Sequence, residues 1–387
     1  MKRFLHIINL GNSAMNFIGD QLSYMNKYGD YEMHLICSPC DGIDEFVKDQ
    51  GVKYFPIVLD RQIRIGKDLV ALWKIYRYMR KKHIDIVVGH QAKGTLLAMT
   101  AGWLARVPHR VVVAHGMLAD TMHGIKKWFF ITESRFVSSH AHKIICVSPS
   151  LAIRRCEEGI DKPEKQVVIG NGTCNGVDTL KKFNPKMIDI ESQKALKLLY
   201  GINDSDVVIG FVGRLVRDKG VVELVAAFKQ LKELHSNKSI KLLIIGALEK
   251  RDSIPASTID FLKNSSDVIF TGVVPHHDIA KYYSLMSMLI LPSYREGFGM
   301  VTIEASAMEV PVIVSRSTGC IDSIIDGQTG LYCDITPESI ASAVVRLFDN
   351  EYAHCLGQQG RKWVVENFEH AIVRENYLNF YNQVFSN

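Results

Sequence analysis

Residues 292–311 read Pro-Ser-Tyr-Arg-Glu-Gly-Phe-Gly-Met-Val-Thr-Ile-Glu-Ala-Ser-Ala-Met-Glu-Val-Pro. The apolar run before them, Met288-Leu-Ile-Leu291, reads as a buried strand, and Met300–Met308 has few breakers and suits a helix. The unit is a strand, a glycine-rich turn and a helix. At such a turn the N–H groups of Gly297, Phe298, Gly299 and Met300 can face an anion, and the helix dipole adds partial positive charge. A phosphate or diphosphate is the natural occupant. Glu296 opens the turn and Glu304 lies inside the helix. At about 1.5 Å of rise per residue their backbones sit on the order of 10 Å apart, similar to the span from ribose to sugar in a nucleotide sugar. The plainer alternative is an ordinary glycine turn with surface acids. Against it stands Glu304 itself, flanked by Ile303, Ala305 and Ala307 on a helix that reads as mostly buried, where a carboxylate needs a partner.

The length of 387 residues suggests two or three domains, and a hydrophobic content of 47% is enough for sizeable cores. A net charge of +5 is too mild an excess to argue for nucleic acid, and none is expected as a partner. No apolar run approaches the roughly 20 residues that span a bilayer. Met1-Lys-Arg-Phe-Leu-His-Ile-Ile-Asn9 enters a strand pattern at once, without the long apolar region of a signal peptide, so a cytoplasmic location is expected. The eight cysteines lie mostly in strand-like apolar contexts and read as reduced. Cys37-Ser-Pro-Cys40 reads as a structural pair, with a thiol redox motif or half a zinc site as alternatives; His276-His277 and His140-Ala-His142 are not obvious companions for a metal.

Short apolar runs alternate with helical stretches along the chain. Phe4–Asn9, Glu32–Cys37, Lys53–Val58, Ile84–Gly89, Arg110–Ala114, Lys143–Val147 and Gln166–Ile169 read as strands, with helices at Phe17–Lys27, Ile43–Asp49, Lys67–Lys82 and Thr95–Ala105. A second series has strands at Val207–Val212, Ile240–Ile245, Val268–Thr271, Met288–Leu291, Val312–Val314 and Leu331–Cys333. Its helices fall near Val221–Glu233, His277–Met286, Met300–Met308 and Pro337–Phe348. The fold class is therefore α/β: two doubly wound, Rossmann-like halves, expected to face each other across a cleft. The expected division is an N-terminal domain at 1–180, a linker at 181–206 and a second domain at 207–370. A C-terminal helix at 371–387 is expected to pack back toward the first domain.

Four motifs in this order resemble a known family. Phe211-Val-Gly-Arg-Leu-Val-Arg-Asp-Lys-Gly-Val221, Phe270-Thr-Gly-Val-Val274, the paired-glutamate turn and Gly319…Ile325-Asp-Gly-Gln-Thr-Gly-Leu331 are similar to the retaining GT-B glycosyltransferases of family 4. Val111-Val-Val-Ala-His-Gly116 and Gly170-Asn-Gly-Thr-Cys-Asn-Gly-Val-Asp178 further resemble its capsule and exopolysaccharide branch. The resemblance implies a nucleotide-sugar donor, expected to be a UDP-sugar, and a lipid-linked saccharide acceptor in surface-polysaccharide synthesis. A soluble glycoside or a glycolipid is the alternative product. The transferred group would be a hexosyl or N-acetylhexosaminyl unit.

The same resemblance implies donor contacts at Gly213, Arg214, Lys219, Gly246, Val273, Glu296, Gly297, Phe298, Gly299, Met300, Val301 and Glu304. Arg214 and Lys219, fixed cations after a strand, would neutralise the departing diphosphate. Glu304 would accept ribose hydroxyls and Glu296 would hold the donor sugar. Gly11, Asn12, Lys93, His115 and Gly116 fall on the acceptor side, where His115 would position the sugar or stabilise cationic character. Neither a metal nor another cofactor is implied. The chain departs from its relatives at Gly246-Ala-Leu-Glu249, which lacks a second glycine, and at Gly11-Asn-Ser-Ala14, which lacks a glycine pair.

Arg61, Arg64, Lys67, Lys74, Arg77, Arg80, Lys81 and Lys82 interleave with Leu69, Trp73, Ile75, Tyr76, Tyr78 and Met79, and Lys126-Lys-Trp-Phe-Phe130 repeats the composition. Such a helix either lies on an anionic membrane face, making the protein peripheral on the inner side of the cytoplasmic membrane, or packs its apolar side on the sheet with solvated cations. Two other classes are weaker. A dinucleotide oxidoreductase lacks its Gly-x-Gly-x-x-Gly after the first strand, and a non-catalytic nucleotide-binding partner would have no need of His115, Arg214, Lys219, Glu296 and Glu304 together.

Overall fold

The computed structural model describes residues 1–60, 62, 64–249 and 252–385. They form two compact units, Met1–Asn175 with Ala371–Asn387, and Gly176–His370.

The first unit begins with β1 (Lys2–Leu10), α1 (Gly11–Phe17), α2 (Gln21–Tyr28), β2 (Tyr31–Ser38), α3 (Ile43–Asp49), β3 (Lys53–Tyr54) and α4 (Ile65–Lys82). It continues with β4 (Ile86–His90), α5 (Ala92–Ala105), β5 (His109–Ala114), α6 (Gly124–His140), β6 (Lys143–Cys146), α7 (Pro149–Glu157) and β7 (Gln166–Val167). Its seven strands are ordered β3-β2-β1-β4-β5-β6-β7, all parallel. Strands buried on both faces need unbroken apolar runs, and Phe4, Leu5, Ile7 and Ile8 of β1 are all fully buried.

The second unit holds α8 (Ile190–Leu199), β8 (Val207–Val212), α9 (Val221–Leu234), β9 (Ile240–Ile245), α10 (Ala256–Asn264), β10 (Val268–Gly272) and α11 (Ile279–Tyr283). There follow β11 (Met288–Leu291), α12 (Met300–Ala307), β12 (Val312–Ser315), β13 (Leu331–Cys333), α13 (Pro337–Arg346) and α14 (Asn350–Phe368). Its strands run β10-β9-β8-β11-β12-β13, again all parallel. Phe211, Leu224, Phe228, Ile290 and Val344 lie at the centre of its core. α15 (His370–Phe385) then returns the chain to the first unit, where Tyr381 packs edge-on against Phe4 with centroids 4.8 Å apart.

Several expected elements differ. The helix expected over Phe17–Lys27 starts only at Gln21, as α2, because Gly19 turns left-handed (φ 54°) and closes a separate, unexpected helix, α1, with a bond from its N–H to Ala14 O. The strand expected over Lys53–Val58 shrinks to two residues, since Pro56 has no N–H to offer the ladder. The connector after Asp178 carries α8, capped by the Asp189 carboxylate on the Ser192 N–H.

In each sheet the strand order reverses direction once, between β1 and β4 and between β8 and β11. Ligands of doubly wound sheets bind outside the carboxyl ends of the strands at such a switch. Gly11 and His90 flank the first switch, and Gly213 and Pro292 the second.

Candidate active site

In the second unit the loops after β8 and β11 are laced together residue by residue. Tyr294 N–H donates to Asp218 O at 2.9 Å, Arg295 pairs with Asp218 at 2.6 Å, and Lys219 forms an ion pair with Glu296. Ser293 Oγ donates to the same Glu296 oxygen at 2.8 Å. Glycine is required where these loops touch, since a Cβ on Gly220 would lie 2.0 Å from Pro292 O, and where the loop after β12 meets them, since one on Gly319 would lie 2.6 Å from Glu296 O. Similarly, Gly213 and Gly246 let the ends of β8 and β9 meet, since a Cβ on Gly246 would come within 1.7 Å of Gly213 O. Gly299 caps α12 in a left-handed conformation (φ 80°), and no side chain caps that helix. Phe298 is buried edge-on against Phe368, which fixes the turn from behind. Met300 and Val301 open α12; Val273 stands exposed just beyond β10.

Glu304 has the partners a buried carboxylate requires. It is 8% exposed, accepts a 2.8 Å bond from Tyr283 OH, and lies 3.4 Å from His276 Nε2. Burial, with the Glu304 charge adding to it, pushes the Tyr283 hydroxyl well above its ordinary range, so it stays a donor. Lys182 Nζ sits 2.6 Å from His276 Nδ1 and extends the group. Arg214 differs from Lys219: it is half exposed and bonded to Glu249 at 3.1 Å. The sequence also holds an Asp-x-Asp, Asp204-Ser-Asp206, but it precedes β8 at the amino end of the strand. There Asp204 pairs with Lys197 at 2.8 Å and Asp206 accepts from Asn203 N–H, so neither belongs to the glycine-rich turn.

In the first unit Gly11 opens α1 directly after β1, packed against Cys40, where a Cβ would meet Sγ at 2.3 Å. Asn12 is exposed beside it. Lys93 is buried and engaged, its ammonium 2.8 Å from Asp68 Oδ1 of α4. His115 follows the last residue of β5, with Gly116 behind it, and its Nε2 lies 3.0 Å from His90 Nδ1; His90 Nε2 in turn lies 2.8 Å from His6 Nδ1. Burial lowers His115 to about 4 and His6 to about 3; it also holds His90 well below the usual range, helped by its two neighbours. Cys37 and Cys40 are free thiols, and burial pushes Cys37 up to about 12, far from a reactive thiolate.

The structure thus joins Glu296 to Lys219 directly and sets Arg214 on a separate partner. Sequence reasoning missed Tyr283, His276 and Lys182 around Glu304, and His6 behind His115. The need of Glu304 for a partner was the one available signal, and it carried no address.

Two all-parallel doubly wound sheets, one in each unit, with a glycine-rich turn at the switch of the second, are the arrangement of the GT-B fold. Residues 21–174 match the family described as Glycosyltransferase Family 4, and residues 193–363 match Glycosyl transferases group 1. Among curated proteins, the capsular polysaccharide biosynthesis glycosyltransferase CapM of Staphylococcus aureus is 30% identical over 98% of this chain and 97% of its own. The UDP-Gal:alpha-D-GlcNAc-diphosphoundecaprenol alpha-1,3-galactosyltransferase of Escherichia coli is 25% identical over 87% and 85%. The fold matches Anabaena HepE, solved with UDP and glucose, at a TM-score of 0.80 and 16% identity, covering 99% of this chain and 100% of that one. The chain belongs to the family 4 glycosyltransferases.

Proposed function

We propose that this glycosyltransferase moves a hexosyl or N-acetylhexosaminyl group from a UDP-sugar, with retention, to a lipid-linked saccharide during surface-polysaccharide assembly. The observation that carries the reading is the Lys219–Glu296 pair at the mouth of the Gly297–Met300 turn. A cation at that mouth meets the donor diphosphate, the carboxylate meets sugar hydroxyls, and buried Glu304 takes the ribose. As the bond between the anomeric carbon and the phosphate oxygen breaks, charge grows on the diphosphate, and Lys219 with Arg214 stabilises it. The acceptor oxygen bonds to the anomeric carbon on the face the diphosphate leaves, and its proton passes to a phosphate oxygen. Residues of the chain supply the electrostatics, without a divalent ion.

A lipid-linked acceptor is favoured by one surface of the first unit. Ala71, Ile75 and Met79 of α4 face inward, yet Ile65 is 75% exposed and Trp73 54%. On α6, Ile125 is 81% exposed and Trp128 65%. Arg77 lies over Trp73 at 4.7 Å, and Arg80, Lys81 and Lys82 close α4; Arg64 and Lys67 are partly neutralised by Asp60, and Arg61 lies outside the described residues. Exposed aromatics among cations suit the headgroup region of an anionic bilayer, where this face would rest. No helix among the described residues is long and apolar enough to cross a membrane.

Incubation of the purified protein with a panel of nucleotide sugars and a bacterial lipid extract, read by nucleotide release and mass spectrometry of the lipids, tests the reading. A UDP-dependent, single-sugar mass gain on a lipid-linked saccharide is expected, with the donor's anomeric configuration kept in the product. Transfer only to water-soluble acceptors would overturn the acceptor assignment, and inversion the mechanism.

A further inference from the structure

The three histidines form a continuous file from the sheet core outward. His6 lies in the middle of β1, 1% exposed and stacked on Phe4; His90 ends β4, its neighbour in the sheet; His115 follows β5 and is partly exposed. Ring centroids are 5.1 Å apart between His6 and His90 and 5.3 Å between His90 and His115. Rings this close and this buried are neutral at pH 7, because a charge on one would be desolvated and would repel a charge on the next. A neutral imidazole has one N–H and one lone pair.

That count leaves two arrangements. His90 uses both nitrogens, so it donates through one and accepts through the other, and all bonds in the file point the same way. In the first sense every ring carries its proton on Nδ1, and His6 Nε2 ends the file as a lone pair. In the second every ring carries it on Nε2, and His6 ends the file as a buried N–H. His6 Nε2 is buried and has no hydrogen-bond partner among the described residues. A buried N–H without an acceptor is the rarer defect in folded proteins, which selects the first sense.

We propose that His6, through His90, fixes the tautomer of His115, so that His115 meets substrate as an Nδ1–H donor to a sugar or phosphate oxygen and not as a base. His6 and His90 are positioning residues that touch no substrate. The inference rests on the reading of His115 as a substrate contact, but the tautomer itself does not.

Ring nitrogen and carbon shifts of the full chain labelled in histidine, assigned with single-site variants, read the tautomers without substrate. The expected result is a protonated Nδ1 and a bare Nε2 on His90 and His115. A protonated Nε2 on His115 overturns the proposal whatever the transferase assay gives.

Activity supplies the second readout. His6→Phe keeps the ring and removes the donor; His6→Asn is a poorer fit to the core but keeps an N–H for His90. The proposal expects His6→Phe to lower turnover about tenfold, the size of one lost hydrogen bond, with nucleotide-sugar KM unchanged and His6→Asn closer to the parent. A purely structural role for His6 gives the opposite order, Phe better than Asn, and that order would also overturn the proposal.

Discussion

Lys219 and Glu296, 77 residues apart in sequence, form an ion pair that joins the loops after β8 and β11. Removing the cation leaves Glu296 on Ser293 of its own loop, and the bonds of Tyr294 and Arg295 to Asp218 still tie the two loops, so the variant would remove the proposed diphosphate contact without parting them. Lys219→Ala should cut turnover by about 2–4 kcal/mol of barrier, on the order of a hundredfold or more. Arg214→Ala should do less, because that side chain is half exposed and shared with Glu249. Steady-state kinetics that leave both variants near the parent would remove these residues from diphosphate binding.

On the proposed reading Glu304 would act before the chemistry. Contacts to ribose would belong to the ground state, so Glu304→Ala should weaken UDP binding in calorimetry by about tenfold or more, the worth of hydrogen bonds to a charged group. Tyr283→Phe, which leaves His276 beside the carboxylate, should weaken it less. Equal UDP affinity in Glu304→Ala and the parent would place the nucleotide elsewhere.

Acid should loosen the first unit. His6 and His115 are lowered from 6.5 to about 3 and about 4 on folding, so below pH 6.5 the unfolded chain binds protons that the folded one does not. Their stabilising contribution is complete above 6.5 and declines as pH falls toward 4, by up to about 1.4 kcal/mol per pH unit for each ring. Thermal melts from pH 7.5 to 4.5 should show the decline, and His6→Phe should flatten it. A melt equally steep in that variant would assign the acid sensitivity to other groups.

Chelation is expected to leave transfer intact. If, as proposed, Lys219, Arg214 and the backbone N–H groups of the turn hold the diphosphate, turnover should persist in EDTA. Loss of activity that one divalent ion restores would show the opposite.

Membrane attachment should depend on salt. Each cation near an anionic surface contributes about 1 kcal/mol, screened as ionic strength rises. Replacing Arg77, Arg80, Lys81 and Lys82 by Gln should reduce sedimentation with anionic vesicles and slow transfer to a lipid acceptor, with UDP binding unchanged. Undiminished sedimentation would reduce this face of α4 to a solvated surface.

How far the sequence could be read depended on how local each feature is. β8, β9, β11 and β13 were legible to the residue because each is an apolar run cut off by glycine, proline or charge. The turn that carries Glu296 and the helix that carries Glu304 were legible because they lie in one stretch, whereas the pairing of Lys219, 77 residues away, with Glu296 was not. α6 and α14 were not, because their mixed faces give no clean period, and α1 was missed because its seven residues open on Gly11 directly at the end of β1. Contacts between β1 and β4, or between α11 and α12, come from sheet order and packing. His6 behind His90 and Tyr283 on Glu304 are therefore products of the fold with no trace in spacing.

α15 has a consequence for biosynthesis. It supplies the first unit with Tyr381 against Phe4, Phe385 against His109 and Asn382 for the Tyr31 hydroxyl, yet the ribosome makes it after every strand of the second unit. Domains made in one piece can fold as they emerge. Here the unit begun first is finished last, so a chain that ended near residue 370 would contain every strand of both units and still leave Phe4 and Tyr31 without the helix that packs on them.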